Sequence, residues 1–114
     1  MNRDIVIIEH IIVHAERILN KIENKNLEGF LSNNDDKDIV CFNFLQIGEL
    51  AKSLSIEFCK NYSLVDWKGL KGIRDKIVHG YGEIDFSLIY AYCIEEAPLL
   101  LSVCKQALKE LTQK

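Results

Sequence analysis

Proline occurs once and glycine six times in 114 residues, too few turn formers for a sandwich of many short strands. Nor is there a surplus of positive charge: 14 Lys and Arg stand against 17 Asp and Glu, a net charge of −3 with a pI near 5.6. Proteins that grip long nucleic acid over their whole surface are basic, so any nucleic-acid contact here is local and small. No Cys-x-x-Cys pair occurs among Cys41, Cys59, Cys93 and Cys104. That spacing excludes a zinc ribbon and offers no disulfide framework. The four sit in apolar stretches as small hydrophobes, which points to a reducing compartment, the cytoplasm. The N-terminal apolar runs Ile5–Ile8 and Ile11–Val13 are broken by Glu9-His10 and lead to no small-residue cleavage site, so no signal peptide is expected. No uninterrupted apolar stretch approaches the roughly 20 residues that span a bilayer. The expectation is a soluble protein with no membrane partner.

What is present is the balance of an ordinary folded protein, 48% hydrophobic and 27% charged, at the size of one domain with one core; residues 1–114 are read as that domain. From Arg3 to Ile22 apolar residues fall at 5, 8, 11, 12, 15, 18, 19 and 22, the steps of three and four of a helical stripe. Asn24 to Asp38 lacks periodicity and reads as a connection. A second helix is predicted from Asp36 or Asp38, either of which is a cap residue, with Val40, Phe44, Ile47, Ala51, Leu54 and Phe58 as its buried face, ending near Asn61-Tyr62-Ser63. A shorter third helix covers Val65 to Val78, ended by Gly80 and Gly82 through the left-handed conformation that glycine tolerates. Asp85 caps a last helix from Phe86 to Leu111, where Pro98 lacks a donor and clashes with the preceding turn, kinking or splitting the helix. The fold class is all-α, an antiparallel bundle of four to five helices.

The third helix concentrates functional residue types. Lys68, Lys71, Arg74 and Lys76 form a local basic patch on an acidic chain. Arg74 is a permanent cation whose planar fork suits phosphate, and His79 is a natural general acid or base near neutral pH. Asp75 lies one turn before His79, so the two share a helix face and a carboxylate there can fix the imidazole tautomer. Arg74 and His79 are five apart, about 140° around an ideal helix. One helix alone does not aim both at one phosphate. Three solutions exist: the arginine reaches round, the helix distorts before Gly80, or a second copy of the chain completes the site. The third, which a symmetric dimer supplies, is preferred.

Arg74, four residues, His79, one residue, Tyr81 resembles the signature of the HEPN superfamily and, more narrowly, of its HepT-like toxins. The resemblance extends to the block Ile47-Gly48-Glu49-Leu50-Ala51-Lys52-Ser53-Leu54, to Trp67 seven residues before the arginine, to Ile84-Asp85 and to Ala97-Pro98-Leu99. It implies a HEPN-like bundle and a metal-independent endoribonuclease that needs no cofactor. His79 would activate a ribose 2′-hydroxyl or protonate the leaving oxygen, Arg74 would stabilise charge on the phosphate, and Asp75 would orient the pair. RNA is the implied substrate because only it carries the 2′-hydroxyl. The resemblance further implies a homodimer with a composite site and a type VII-like toxin–antitoxin pair, in which a MntA-type nucleotidyltransferase antitoxin attaches AMP to Tyr81. Such a group adds negative phosphate beside the cleft.

Two other readings accompany this one. A non-catalytic HEPN subunit that docks a nucleotidyltransferase would need the same fold without cleavage. A metal-binding bundle would rest on His10 and His14, one helical turn apart, but no third ligand is evident. Glu49 is read as either buried beside the site or ion-paired with Arg74, and Trp67 as a core or interface anchor.

Overall fold

A computed structural model describes residues 3–113. It contains α1 at Arg3–Ile22, α2 at Leu27–Leu31, α3 at Asn34–Ala51, α4 at Ile56–Asn61, α5 at Trp67–Gly80 and α6 at Phe86–Thr112, with a 3₁₀ turn at Tyr81–Glu83. No strand occurs among the described residues. The all-α bundle expected from the sequence is the architecture found. α1 lies between α3 and α6, and α5 packs on α3.

The stripe of α1 explains its central place. Ile8, Ile11, Ala15 and Ile18 are fully buried, with Ile7 and Ile22 nearly so; each large aliphatic side chain removed from water contributes about 1.5–3 kcal/mol. The helix ends where Asn24 takes a left-handed φ of 64°, a conformation asparagine tolerates better than most residues.

The 24–38 connection is more ordered than its sequence suggests. Asn26 caps α2 by accepting from the Gly29 amide, and Phe30 is fully buried. α3 then starts two residues or more before the expected point, because Asn33 rather than Asp36 or Asp38 is its cap, accepting from the Asp36 amide at 3.0 Å. Asp36 is itself buried and ion-paired with Lys25 and, at 3.8 Å, Lys21.

The predicted second helix is two helices. Its whole expected face is buried, but the chain turns between Ala51 and Ile56. Ser55 caps α4 through Phe58, and both its amide and its hydroxyl donate to Asp4 of α1, at 2.9 and 2.6 Å. α5 begins at Trp67 under an Asp66 cap and runs on through Gly80. The glycine stop does not take the expected form. No glycine has positive φ, and Gly80 (φ −161°) passes the chain into the 3₁₀ turn.

α6 is capped by Asp85 as expected and runs as one helix through Pro98, so the chain is not split there. Cys93, Ala97, Leu100, Cys104 and Ala107 are fully buried along it, and this continuous packing outweighs one missing hydrogen bond. By length and composition α6 is long and apolar enough to cross a membrane, a property the uninterrupted-run criterion had passed over. Here one face of it packs along α1.

Candidate active site

The face of α5 that meets the core is set by Trp67, Leu70, Ile73 and Ile77, all buried. Arg74 follows Leu70 by one turn and therefore sits at the edge of that face, against α3. The approach is close because α3 carries Gly48 there: a Cβ at Gly48 would lie 2.3 Å from Arg74 Cβ and 2.9 Å from the Leu70 carbonyl oxygen. The guanidinium is consequently held between elements, its side chain 21% exposed. Nη1 donates to Asp75 Oδ1 at 2.9 Å. Nε lies 2.8 Å from Glu49 Oε1, yet it is buried without an aligned hydrogen bond, so this contact is one of charge rather than of directed N–H. Lys52 completes the cluster, 3.5 Å from Asp75 and 4.0 Å from Glu49. The hydrogen bond to Asp75, reinforced by the Glu49 carboxylate, raises the pKa of Arg74. The same bond, with Lys52 nearby, holds the Asp75 carboxyl below the usual carboxylate range.

His79 is exposed on the last turn of α5. It borders a groove of 410 Å³ between α5, the 3₁₀ turn and the start of α6, with Ile73, Ile77 and Ile89 beneath and Lys76, Glu83 and Asp85 at the rim. Among the described residues no hydrogen bond or ion pair joins His79 to Asp75, whose carboxylate turns to Arg74 and Lys52. The structure thus brings Asp75 to Arg74 and leaves His79 apart from both. A larger depression of 930 Å³ at the end of α1, beside Leu19, Glu23, Tyr90 and Ile94, includes none of the candidate residues.

Tyr81 leans back across α3. Its hydroxyl donates to Asp38 beside the Cys41 thiol, and its ring meets Phe86 edge-on at 5.8 Å. Lys37 stands 4.7 Å over that Phe86 ring. Burial of the hydroxyl end and the bond to Asp38 raise the Tyr81 pKa, while burial, aided by Asp38, pushes the Cys41 thiol up to about 12.

Gly48, Lys52 and Asp38 carry roles that the sequence reading did not assign. Gly48 had a usable signal, since glycine inside a helix costs about 1 kcal/mol relative to alanine and so asks for a compensating close contact. Asp38 had none, being 43 residues from its partner. Trp67 is a core residue, its indole donating to the Tyr62 carbonyl at 3.0 Å and its ring edge-on to Phe58. His14 donates from Nδ1 to the buried Asn43 at 2.7 Å, and no group of three His, Cys, Asp or Glu able to hold a metal occurs among the described residues. The metal-binding reading therefore lacks its ligand set.

A helical bundle whose fifth helix wedges an arginine against its neighbour and ends in an exposed histidine and a latched tyrosine has the architecture and motif order of a HEPN-type protein. The chain belongs to the HepT-like ribonuclease family: residues 8–107 match the family described as Ribonuclease HepT-like. It is similar to "Putative RNase TTE0752" of Caldanaerobacter subterraneus subsp. tengcongensis, 29% identical over 107 residues that cover 94% of this chain and 92% of that protein. It is also similar to "Putative RNase MJ0127" of Methanocaldococcus jannaschii, 26% identical over 101 residues covering 89% and 84% of the two. No solved structure gives a significant match.

Proposed function

We propose that this chain is a single-domain endoribonuclease toxin of a type VII-like toxin–antitoxin pair, cutting RNA without metal as a homodimer. His79 takes the proton of a ribose 2′-hydroxyl, whose oxygen attacks the adjacent phosphorus, or returns a proton to the departing 5′-oxygen. Arg74 stabilises the charge that builds on the phosphate oxygens, and it is worth most where it is already oriented before the substrate arrives. Asp75, with Glu49, supplies that orientation.

The observation that carries the reading is the fixed guanidinium on one side of α5 with an exposed imidazole on the other. α5 stays helical through Gly80, so the residues remain about 140° apart, and Arg74 is engaged by Glu49 and Asp75 rather than reaching round. Of the three solutions, a second copy is the one this geometry favours. Val78 lies one turn beyond Arg74 and Phe42 two turns before Glu49, 45% and 54% exposed, an apolar margin beside the charged cluster that suits contact with another copy. Antitoxin control falls to a MntA-type nucleotidyltransferase: the Tyr81 oxygen bonds the α-phosphorus of ATP, the phenolic proton is lost and pyrophosphate leaves.

The test is RNA cleavage in chelator by wild type, Arg74→Ala and His79→Ala. Equal cleavage by all three refutes the assignment. Mixing the two inactive variants regenerates one intact site per mixed dimer if the site is composite, and none if each chain works alone. Intact mass after co-expression with the nucleotidyltransferase should show added AMP units that Tyr81→Phe abolishes.

One observation favours a non-catalytic docking subunit instead: the charges of Arg74, Lys52, Glu49 and Asp75 cancel, leaving no net attraction for phosphate. A tight complex with the nucleotidyltransferase and no RNA cleavage by wild type would establish that reading.

A further inference from the structure

We infer that Asp38 is a positioning residue of the His79 site: by holding the Tyr81 hydroxyl it ties the 81–83 turn, one wall of the His79 groove, to α3. The turn has little else to hold it. None of Tyr81–Glu83 is buried, and the backbone bond at its end, from the Ile84 amide to the Tyr81 carbonyl at 3.3 Å, is internal to the segment. The Tyr81 hydroxyl joins the turn to α3 by its bond to the Asp38 carboxylate, with the Cys41 thiol of the same helix as a weaker second partner. Edge contact of Tyr81 with Phe86 and the cation of Lys37 over Phe86 brace the same junction. Glu83 follows Tyr81 by two residues and His79 precedes it by two, and both line the groove. A displaced Tyr81 therefore moves the groove from both sides.

The consequence for control rests on the proposed modification of Tyr81. An esterified oxygen has no proton to give, and its phosphate would stand against the Asp38 carboxylate, like charge to like. The latch must open, so the modification disorders the His79 wall in addition to adding charge and bulk. Unlatching, not only blockage, is the mode of silencing.

The latch is testable without any modification. Asp38→Ala and Tyr81→Phe each remove the bond without adding charge, whereas Asp38→Asn keeps an acceptor oxygen. Loss of one hydrogen bond to a charged group corresponds to about tenfold in an equilibrium. Amide exchange over residues 79–85 should quicken by about that factor in Asp38→Ala and Tyr81→Phe, with α1 unchanged. RNA cleavage should fall about tenfold or more, as small misplacements do. The double variant should be no worse than either single one, and Asp38→Asn should largely restore both readouts. Wild-type exchange in Asp38→Ala and Tyr81→Phe would overturn the inference. So would an Asp38→Asn as defective as Asp38→Ala, which would assign the effect to charge alone. If wild type cleaves no RNA, the ribonuclease reading falls, while the exchange measurement still decides the latch.

Discussion

Gly48→Ala is the sharpest perturbation of the α3–α5 junction, and its effect follows from distances. The added methyl carbon would stand 2.3 Å from Arg74 Cβ and 2.9 Å from the Leu70 carbonyl oxygen, where ordinary contact begins near 3.4 Å. Neither obstacle is the free end of a flexible side chain, so relief requires the helices to part by about 1 Å, judged against the tight packing of protein interiors. Overpacking of this kind costs about 1–3 kcal/mol. Two contacts under 3.0 Å put this site in the upper part of that range, at about 2–3 kcal/mol; alanine regains about 1 kcal/mol of helix propensity, leaving a net loss of about 1–2 kcal/mol. At about 4–8 °C per kcal/mol for a chain near this size, that lowers Tm by roughly 4–16 °C. Gly72 supplies the internal control, for it lies on α5 itself with nothing within 4 Å of its Cβ position. Gly72→Ala should therefore stabilise, by up to about 1 kcal/mol. Thermal unfolding followed by circular dichroism measures both. A Gly48→Ala protein that melts at or above wild type, with RNA cleavage intact, would refute the claim that glycine is what lets α3 fix Arg74.

Three further outcomes follow from other contacts. Asp36→Ala should cost about 1–3 kcal/mol in denaturant unfolding, because Lys25 and Lys21 lose their shared buried carboxylate at once; an unchanged midpoint would show that the pairing holds nothing. The thiols of Cys41, Cys93 and Cys104 are pushed up to about 12, chiefly by burial, so a thiol reagent at pH 8 should label Cys59 alone in the folded protein and all four cysteines in denaturant. Asp75 is held below the ordinary aspartate value of about 3.9 by the hydrogen bond from Arg74. Its stabilisation is thus fully present above that value and disappears as pH falls through the lower, folded-state pKa. The Tm difference between wild type and Asp75→Asn should close in that acid range, be small throughout and shrink with salt, since the pair is exposed; a difference that grows toward acid would reverse the assignment.

Which features the sequence disclosed depended on whether a local pattern carried them. α1 was legible to the residue because a 20-residue stripe leaves one orientation to bury. α2, at five residues, is too short to show a period, and Phe30 gave no sign of its burial. The turn between α3 and α4 stayed hidden for the opposite reason. Apolar residues at 47, 51, 54 and 58 keep helical steps straight across it, and the partner that holds Ser55 at the turn is Asp4, 51 residues away. At Pro98 the helix is not split, because the buried α6 face continues on both sides of the proline.

The site divides in the same way. Arg74, Asp75, His79 and Tyr81 announced themselves as residue types in order, whereas what Arg74, Asp75 and Tyr81 meet across the bundle comes from α3 and its C-cap. The block from Ile47 to Leu54 reads as a pattern in sequence and as a set of parts in space. Gly48 admits the root of the Arg74 side chain and the Leu70 carbonyl, Glu49 meets the guanidinium at Nε, and Lys52 holds Asp75 from the next turn. Gly48 and Glu49 lie on α3 and Lys52 caps its C-terminal end, at i, i+1 and i+4, so the guanidinium and its Asp75 partner are both met from this side. Arginine orientation is therefore a property of α3, while the histidine depends on the 81–86 segment. The two halves of the motif, five residues apart in sequence, are controlled by different parts of the fold.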